Sequence, residues 1–156
     1  MLRMDIPGFG KINIRNLVLD YNGTLAADGQ LLPGMADLII AVAKIVDIHV
    51  VTADTYGSAS HQLSGLPIRL DILEKGNELI GKRNIIEHLG SKETMAIGNG
   101  RNDELMLEEA IVGVSVIGSE GCASVLFQCS DICVRDVRDA FGLLLKEGRL
   151  KATLRF

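Results

Sequence analysis

The sequence predicts an α/β fold built on a mostly parallel sheet, and three observations carry the prediction. Short runs rich in β-branched residues alternate with longer segments of helical period, the pattern of repeated β-α-β units. Several short runs are apolar at every position, as strands covered on both faces require. No internal repeat, low-complexity tract or linker interrupts the 156 residues, a length suited to one domain. Residues 1–156 are therefore expected to form a single unit.

The first fifteen residues carry Ile-Pro-Gly-Phe-Gly at their centre and predict a small hairpin or an extra edge strand, since Pro and Gly weaken a strand. Residues 16–21 (NLVLDY) form the first main strand, and a helix follows over 34–45, with Pro33 where a first turn tolerates it. The strand DIHVVT (47–52), a helix over 56–63, the strand IRLDIL (68–73) and a long helix over 76–89 come next. The C-terminal half alternates TMAIG (94–98), a helix over 102–110, VGVSVI (112–117), a helix over 121–128, DICV (131–134) and a helix over 137–147.

Composition excludes several functions. Hydrophobic residues make up 47% and charged residues 23%, enough to bury a full core. Sixteen basic residues against twenty acidic ones leave a net charge of −4 without a Lys/Arg cluster, so the footprint for nucleic acid or anionic lipid is missing. Aromatic residues are 4% and Trp is absent, which removes stacking platforms for single strands and makes the core aliphatic. The longest apolar runs, such as 38–43, fall short of the roughly 20 residues a membrane span needs. The N-terminus has no apolar run of a secretory signal, so the cytoplasm is the expected location. Cys122, Cys129 and Cys133 match neither CxxC nor a zinc knuckle and are expected to be buried thiols.

The residues that carry chemistry stand at strand ends. In LVLDYNGTL (17–25) a hydrophobic strand ends in Asp20 and enters a turn of Asn22, Gly23 and Thr24. Ligands of open α/β sheets bind beyond the carboxyl ends of the strands, which puts Asp20 where a site belongs. The alternative is that Asp20 and Asn22 only cap a turn, as Asx side chains commonly do. MAIGNGRNDELM (95–106) repeats the plan with Asn99, Asn102 and Asp103 in a Gly-rich turn ahead of a helix. Two such oxygen-rich turns can converge on one hard cation such as Mg²⁺. Between them, DIHVVT ends in Thr52 and Lys82 lies early in a long helix. A hydroxyl, an ammonium and exposed backbone N–H groups are what phosphate oxygens need.

The ordered set DYNGT, a hydrophobic strand ending in Thr, a helix-borne Lys and GNGRND resembles the haloacid dehalogenase superfamily of phosphatases and phosphotransferases, over residues 16–141. Within it the chain is most similar to the phosphorylation domain of P-type ATPases, including the stretch GVSVIGSEGCASVLFQCSDICV. The resemblance implies a Rossmann-like three-layer sandwich, Mg²⁺ as cofactor and a phosphorylated substrate. It makes Asp20 a nucleophile that forms an aspartyl phosphate. Thr52 and Lys82 would hold the phosphoryl group, with Gly23, Ala53 and Asn102 around it. The metal would be held by Asp20, the backbone carbonyl of Asn22, Asn99 and Asp103, the last directly or through water.

Two departures from the family pattern matter. Its phosphatases usually carry an acid/base Asp where Asn22 stands, and an amide cannot exchange that proton. Losing such a group costs on the order of 10² to 10⁴ in rate, so slow hydrolysis is expected. Asn99 also replaces a usual Asp. The four metal-site positions then carry two negative charges instead of up to four, which predicts weaker metal binding.

Other candidates carry less. Lys75, at the start of the same helix and closer to the preceding strand, is the alternative to Lys82, which the spacing to GNGRND favours, and His49, His61 and His88 are not expected to be catalytic. Arg101 reads as a surface residue and Asp54 as a cap of the next helix. Eleven positions from Asn22 to Pro33 and thirty from Thr52 to Lys82 leave no room for a cap domain. An open site calls for a large substrate or a covering subunit, which makes a homo-oligomer one expectation. The rival to a Mg²⁺-dependent phosphohydrolase is a non-catalytic descendant that binds Mg²⁺ and phosphate. A receiver-like module has its Lys after a later strand and fits less well.

Overall fold

A computed structural model describes residues 1–54 and 57–156. Strands β1 (Leu2–Ile6) and β2 (Gly10–Ile14) pair antiparallel as a separate hairpin. The N-terminus is thus a hairpin and not an added edge of the main sheet. It is tied to the C-terminal end of the chain, where Phe156 N–H donates to the carbonyl of Pro7.

The main sheet comprises β3 (Asn16–Asp20), β6 (Asp47–Thr52), β7 (Arg69–Ile72), β8 (Thr94–Gly98), β9 (Val112–Val116) and β10 (Ile132–Val134). Every pairing is parallel, in the order β10-β9-β8-β3-β6-β7. β3, β8 and β9 are buried at all five positions, as their unbroken apolar runs require. Alternation then splits their side chains between two cores. Leu17 and Leu19 join the larger core with α1 (Met35–Val42), α6 (Val137–Leu145) and α7 (Glu147–Leu154). Val18, Val51 and Ala96 face the smaller core, closed by α3 (Glu78–Leu89), α4 (Glu104–Glu109) and α5 (Leu126–Cys129). The result is the expected three-layer sandwich. Among the described residues no cap domain interrupts it: β4 (Ala26–Ala27) and β5 (Gln30–Leu31) intervene between β3 and α1, and α2 (Ser58–Gln62) and β7 between β6 and α3.

Several expectations are corrected. β4 and β5 form an unforeseen hairpin whose turn, Asp28-Gly29, has positive φ at both residues (50° and 74°), the geometry that favours Asp-Gly in tight hairpins. The helix expected over 121–128 shrinks to α5, because Gly121 has φ 87° and Ala123 N–H donates to the carbonyl of Asn99. The helix expected over 137–147 stops at Leu145; Lys146 leaves helical geometry and α7 follows. The helix start expected at Tyr56 lies outside the described residues. The cysteines are not buried: Cys133 is exposed on edge strand β10, and Cys122 and Cys129 are half-buried. No helix among the described residues is long and apolar enough to cross a membrane.

Candidate active site

Sheet register assembles the site. Asp20 pairs with Val51, and Leu19 with Ile97, so Asp20, Thr52 and Gly98-Asn99 reach the same carboxyl rim side by side. α3 covers that end of the sheet and points Lys82 into it. The Lys82 ammonium lies 2.6 Å from Asp20 Oδ1 and 2.5 Å from Asp103 Oδ1. Lys82 is 1% exposed, Asp103 0% and Asp20 7%. One buried cation thus serves two buried anions, and a lone charge at that depth would cost several kcal/mol.

The arrangement shifts both partners. Burial, then the negative charge of Asp103, raise the Asp20 carboxyl to about 7 against the pull of Lys82. For Lys82 burial opposes the charge, but Asp20 and Asp103 outweigh it and hold the ammonium above its ordinary range. Asp103 is clamped on its other side, where Oδ2 accepts from the N–H of Asn99 (2.9 Å) and of Gly100 (2.8 Å). A Cβ at residue 98 would stand 2.5 Å from that carboxylate, so the turn needs glycine there.

Asn99 fastens three loops together. Its Nδ2 donates to the Gly121 carbonyl (3.2 Å), a group that can only accept, which turns Oδ1 toward the Thr24 hydroxyl (3.1 Å). Gly23, with φ 77°, lets the amide approach; a Cβ there would come within 2.2 Å of Asn99 Nδ2.

A cavity of about 430 Å³ opens over these groups and is lined by Asp20, Asn22, Thr52, Lys82, Asn99 and Asn102, with Ala53 beside them. Thr52 is buried, and its hydroxyl oxygen accepts from Asp54 N–H (3.1 Å). Asp54 caps α2 as expected, accepting from the N–H groups of Ala59 and Ser60. Slight burial opposes its charge, but those bonds hold the carboxyl below the usual range.

Of the expected phosphate contacts, Gly23 is set back: its N–H donates to the Ala26 carbonyl (2.8 Å) and the residue is outside the cavity lining. Asp103 lies beneath the lining, fully buried. Lys75 and Arg101 are exposed and outside the lining, which leaves Lys82 as the site lysine. His49 is buried in the sheet with Nδ1 3.5 Å from Asp71, and His61 and His88 sit in the last turns of α2 and α3. Asp28, Ser58 and Glu78 also line the cavity and were not among the expected residues. Of these only Asp28, in an Asp-Gly pair after a strand, carried a readable signal.

The fold matches solved structures. A 3-deoxy-D-manno-octulosonate 8-phosphate phosphatase from Moraxella catarrhalis, solved with magnesium, phosphate and KDO, superposes with a TM-score of 0.66 at 20% identity, over 91% of this chain and 94% of that one. The cobalt-bound deoxy-D-mannose-octulosonate 8-phosphate phosphatase from Haemophilus influenzae gives 0.72 at 13% identity, over 92% and 94%. The chain has the capless haloacid dehalogenase fold.

Sequence comparison places this haloacid dehalogenase-fold chain in one family with the uncharacterized protein MJ0073 of Methanocaldococcus jannaschii, 48% identical over 92 residues, which are 56% of this chain and 99% of that protein. Phospholipid-transporting ATPase 10 of Arabidopsis thaliana is 46% identical over 57 residues, 36% of this chain but 5% of the ATPase. The chain thus spans a small fraction of the ATPases it matches. No protein-family model matches it.

A divalent cation is implied by this fold. Among the described residues, no three His, Cys, Asp or Glu side chains gather as a ligand cluster. A hard cation does not require one, because amide and backbone carbonyl oxygens also serve. Asp20 and Asp103 bring two buried negative charges against one on Lys82, so the site carries an excess of one that a cation offsets. Asn22 and Asn99 border the same cavity. The residues present therefore fit an oxygen-ligated divalent ion.

Proposed function

We propose that the chain is a slow, Mg²⁺-dependent phosphohydrolase or phosphotransferase that works through an aspartyl phosphate on Asp20. The observation that carries this reading is the Lys82 ammonium set between Asp20 and Asp103 at the floor of the cavity. Asp20, Asn22, Asn99 and Asp103 would hold the ion. When bound, Mg²⁺ supplies charge neutralisation at the phosphoryl oxygens.

Lys82 pulls Asp20 toward the ionised form a nucleophile needs, against the burial and the Asp103 charge that raise it, and keeps one N–H for a phosphoryl oxygen. The Thr52 hydroxyl, whose oxygen already accepts from Asp54, has its own proton left to donate. An Asp20 oxygen forms the new bond to phosphorus as the ester oxygen departs and takes a proton from solvent. Water then cleaves the acyl phosphate, returning the Asp20 carboxylate and inorganic phosphate. Phosphoryl transfer asks mainly for positioning and charge neutralisation, and these residues supply both. Asn22 can neither protonate the leaving group nor deprotonate the water, so hydrolysis is the slow half.

Asn22 favours the second reading, a non-catalytic protein that binds Mg²⁺ and phosphate, because the amide it brings to the cavity can neither give nor take a proton. Incubation with Mg²⁺ and p-nitrophenyl phosphate separates the two. Asp20-dependent turnover that rises in Asn22→Asp supports the enzyme. Absence of turnover in wild type and in Asn22→Asp alike supports the binding protein.

A further inference from the structure

Outward from the phosphoryl-binding floor, the cavity wall changes character. Its ionisable residues are Asp28, Asp54 and Glu78, and among the described lining residues Lys82 is the one cation, already held by two carboxylates. The acids are not confined to one loop. Asp28 sits at the β4–β5 turn and Asp54 ahead of α2, and these elements approach where a Cβ at Gly29 would lie 3.7 Å from Ser58 Oγ. Glu78 opens α3. Backbone N–H groups hold Asp54 and Glu78 below the usual carboxylate range, and Glu120 adds a further acid by accepting from Asp28 N–H (2.8 Å).

The floor marks where a phosphoryl group ends, so the acidic wall faces the part of the substrate that leaves. A carboxylate or second phosphate there finds like charge and no free cation on the wall. Lys75 lies near Glu78 but is exposed and off the wall. The volume of about 430 Å³ falls within the range of small-molecule pockets, leaving room for a small leaving group.

We propose, resting on the phosphohydrolase reading, that the site selects phosphomonoesters whose leaving group carries an ammonium, with Asp28 and Glu78 as its specificity-determining residues; Asp54, whose oxygens cap α2, adds only background charge. The wall discriminates by charge, against carboxylate-bearing esters as much as for cationic ones.

The test compares kcat/KM near neutral pH, with Mg²⁺, for three esters on one two-carbon frame: O-phosphoethanolamine, 2-hydroxyethyl phosphate and phosphoglycolate. The expected order is ammonium, neutral, carboxylate, with about tenfold between the extremes at low ionic strength. The ratio is expected to shrink in high salt, which screens exposed charges, and to fall toward one in the double variant Asp28→Asn, Glu78→Gln. Equal or reversed order, with Asp20-dependent turnover of the neutral ester, overturns the charge assignment and leaves the phosphohydrolase reading intact. A preference that survives the double variant overturns the role of the wall. If no ester is turned over in an Asp20-dependent way, the phosphohydrolase reading itself fails, and the substrate class with it.

Discussion

Lys82 Nζ stands 2.6 Å from Asp20 Oδ1 across 62 residues of chain, and both side chains are buried. α3 therefore does more than cover the sheet. It delivers the one charge that lets two carboxylates coexist at the strand ends. Replacing Lys82 with Met should destabilise the fold by roughly 3 to 5 kcal/mol, because it strands buried anions. Urea denaturation checks this, with Lys75→Met as an exposed control expected within about 0.5 kcal/mol of wild type. Equal effects of the two variants would contradict the buried-pair account.

Asn99→Asp tests the loop fastening against the metal reading. A carboxylate cannot donate to the Gly121 carbonyl, so the variant should lose about 1 to 3 kcal/mol without metal. It also adds a carboxylate beside the position proposed for the ion. Thermal unfolding should therefore show a larger stabilisation by Mg²⁺ in the variant than in wild type. A smaller Mg²⁺ effect in the variant would remove Asn99 from the ion's surroundings.

Gly98→Ala places a Cβ 2.5 Å from the Asp103 carboxylate, which backbone N–H groups and Lys82 hold in place. The expected loss is about 1 to 3 kcal/mol, together with reduced turnover. Gly148 in α7 meets nothing within 4 Å, so Gly148→Ala should stabilise by roughly 0.5 to 1 kcal/mol. Chemical denaturation of the pair measures both signs.

Asp136 caps α6, accepting from Arg138 N–H, and the Arg138 side chain chiefly holds its carboxyl below the usual range. A depressed carboxyl contributes stability above its unfolded value near 4, and this is lost as pH falls through the lower folded value. Asp136→Asn should flatten that acid limb, and Asp136→Ala should cost about 1 kcal/mol at neutral pH. Denaturation midpoints across the acid range test the slope; an unchanged slope in Asp136→Asn contradicts the assignment.

The sheet was legible because each main strand is an apolar run with β-branched residues, bounded by turn formers. The site was legible where Asp20 and Thr52 end such runs and Asn99 follows one, since parallel register aligns strand ends. Other features depend on long-range contacts that local pattern does not carry. The 121–123 loop leaves helix because Asn99 holds it from 22 residues away, and Lys146 breaks a periodic segment into α6 and α7. Cys133 points outward through its edge-strand position, which composition alone does not report. Glu78 reaches the cavity only because α3 packs beside α4 and the sheet.

The proposed chemistry requires the Asp20 carboxylate to take the phosphoryl group. Brief exposure to acetyl phosphate with Mg²⁺, acid quench and peptide mass spectrometry read this out directly. One added phosphoryl group is expected on the peptide that contains Asp20, lost in Asp20→Asn and longer-lived than in Asn22→Asp. A phosphoryl group on another residue, or turnover that persists in Asp20→Asn, would contradict it.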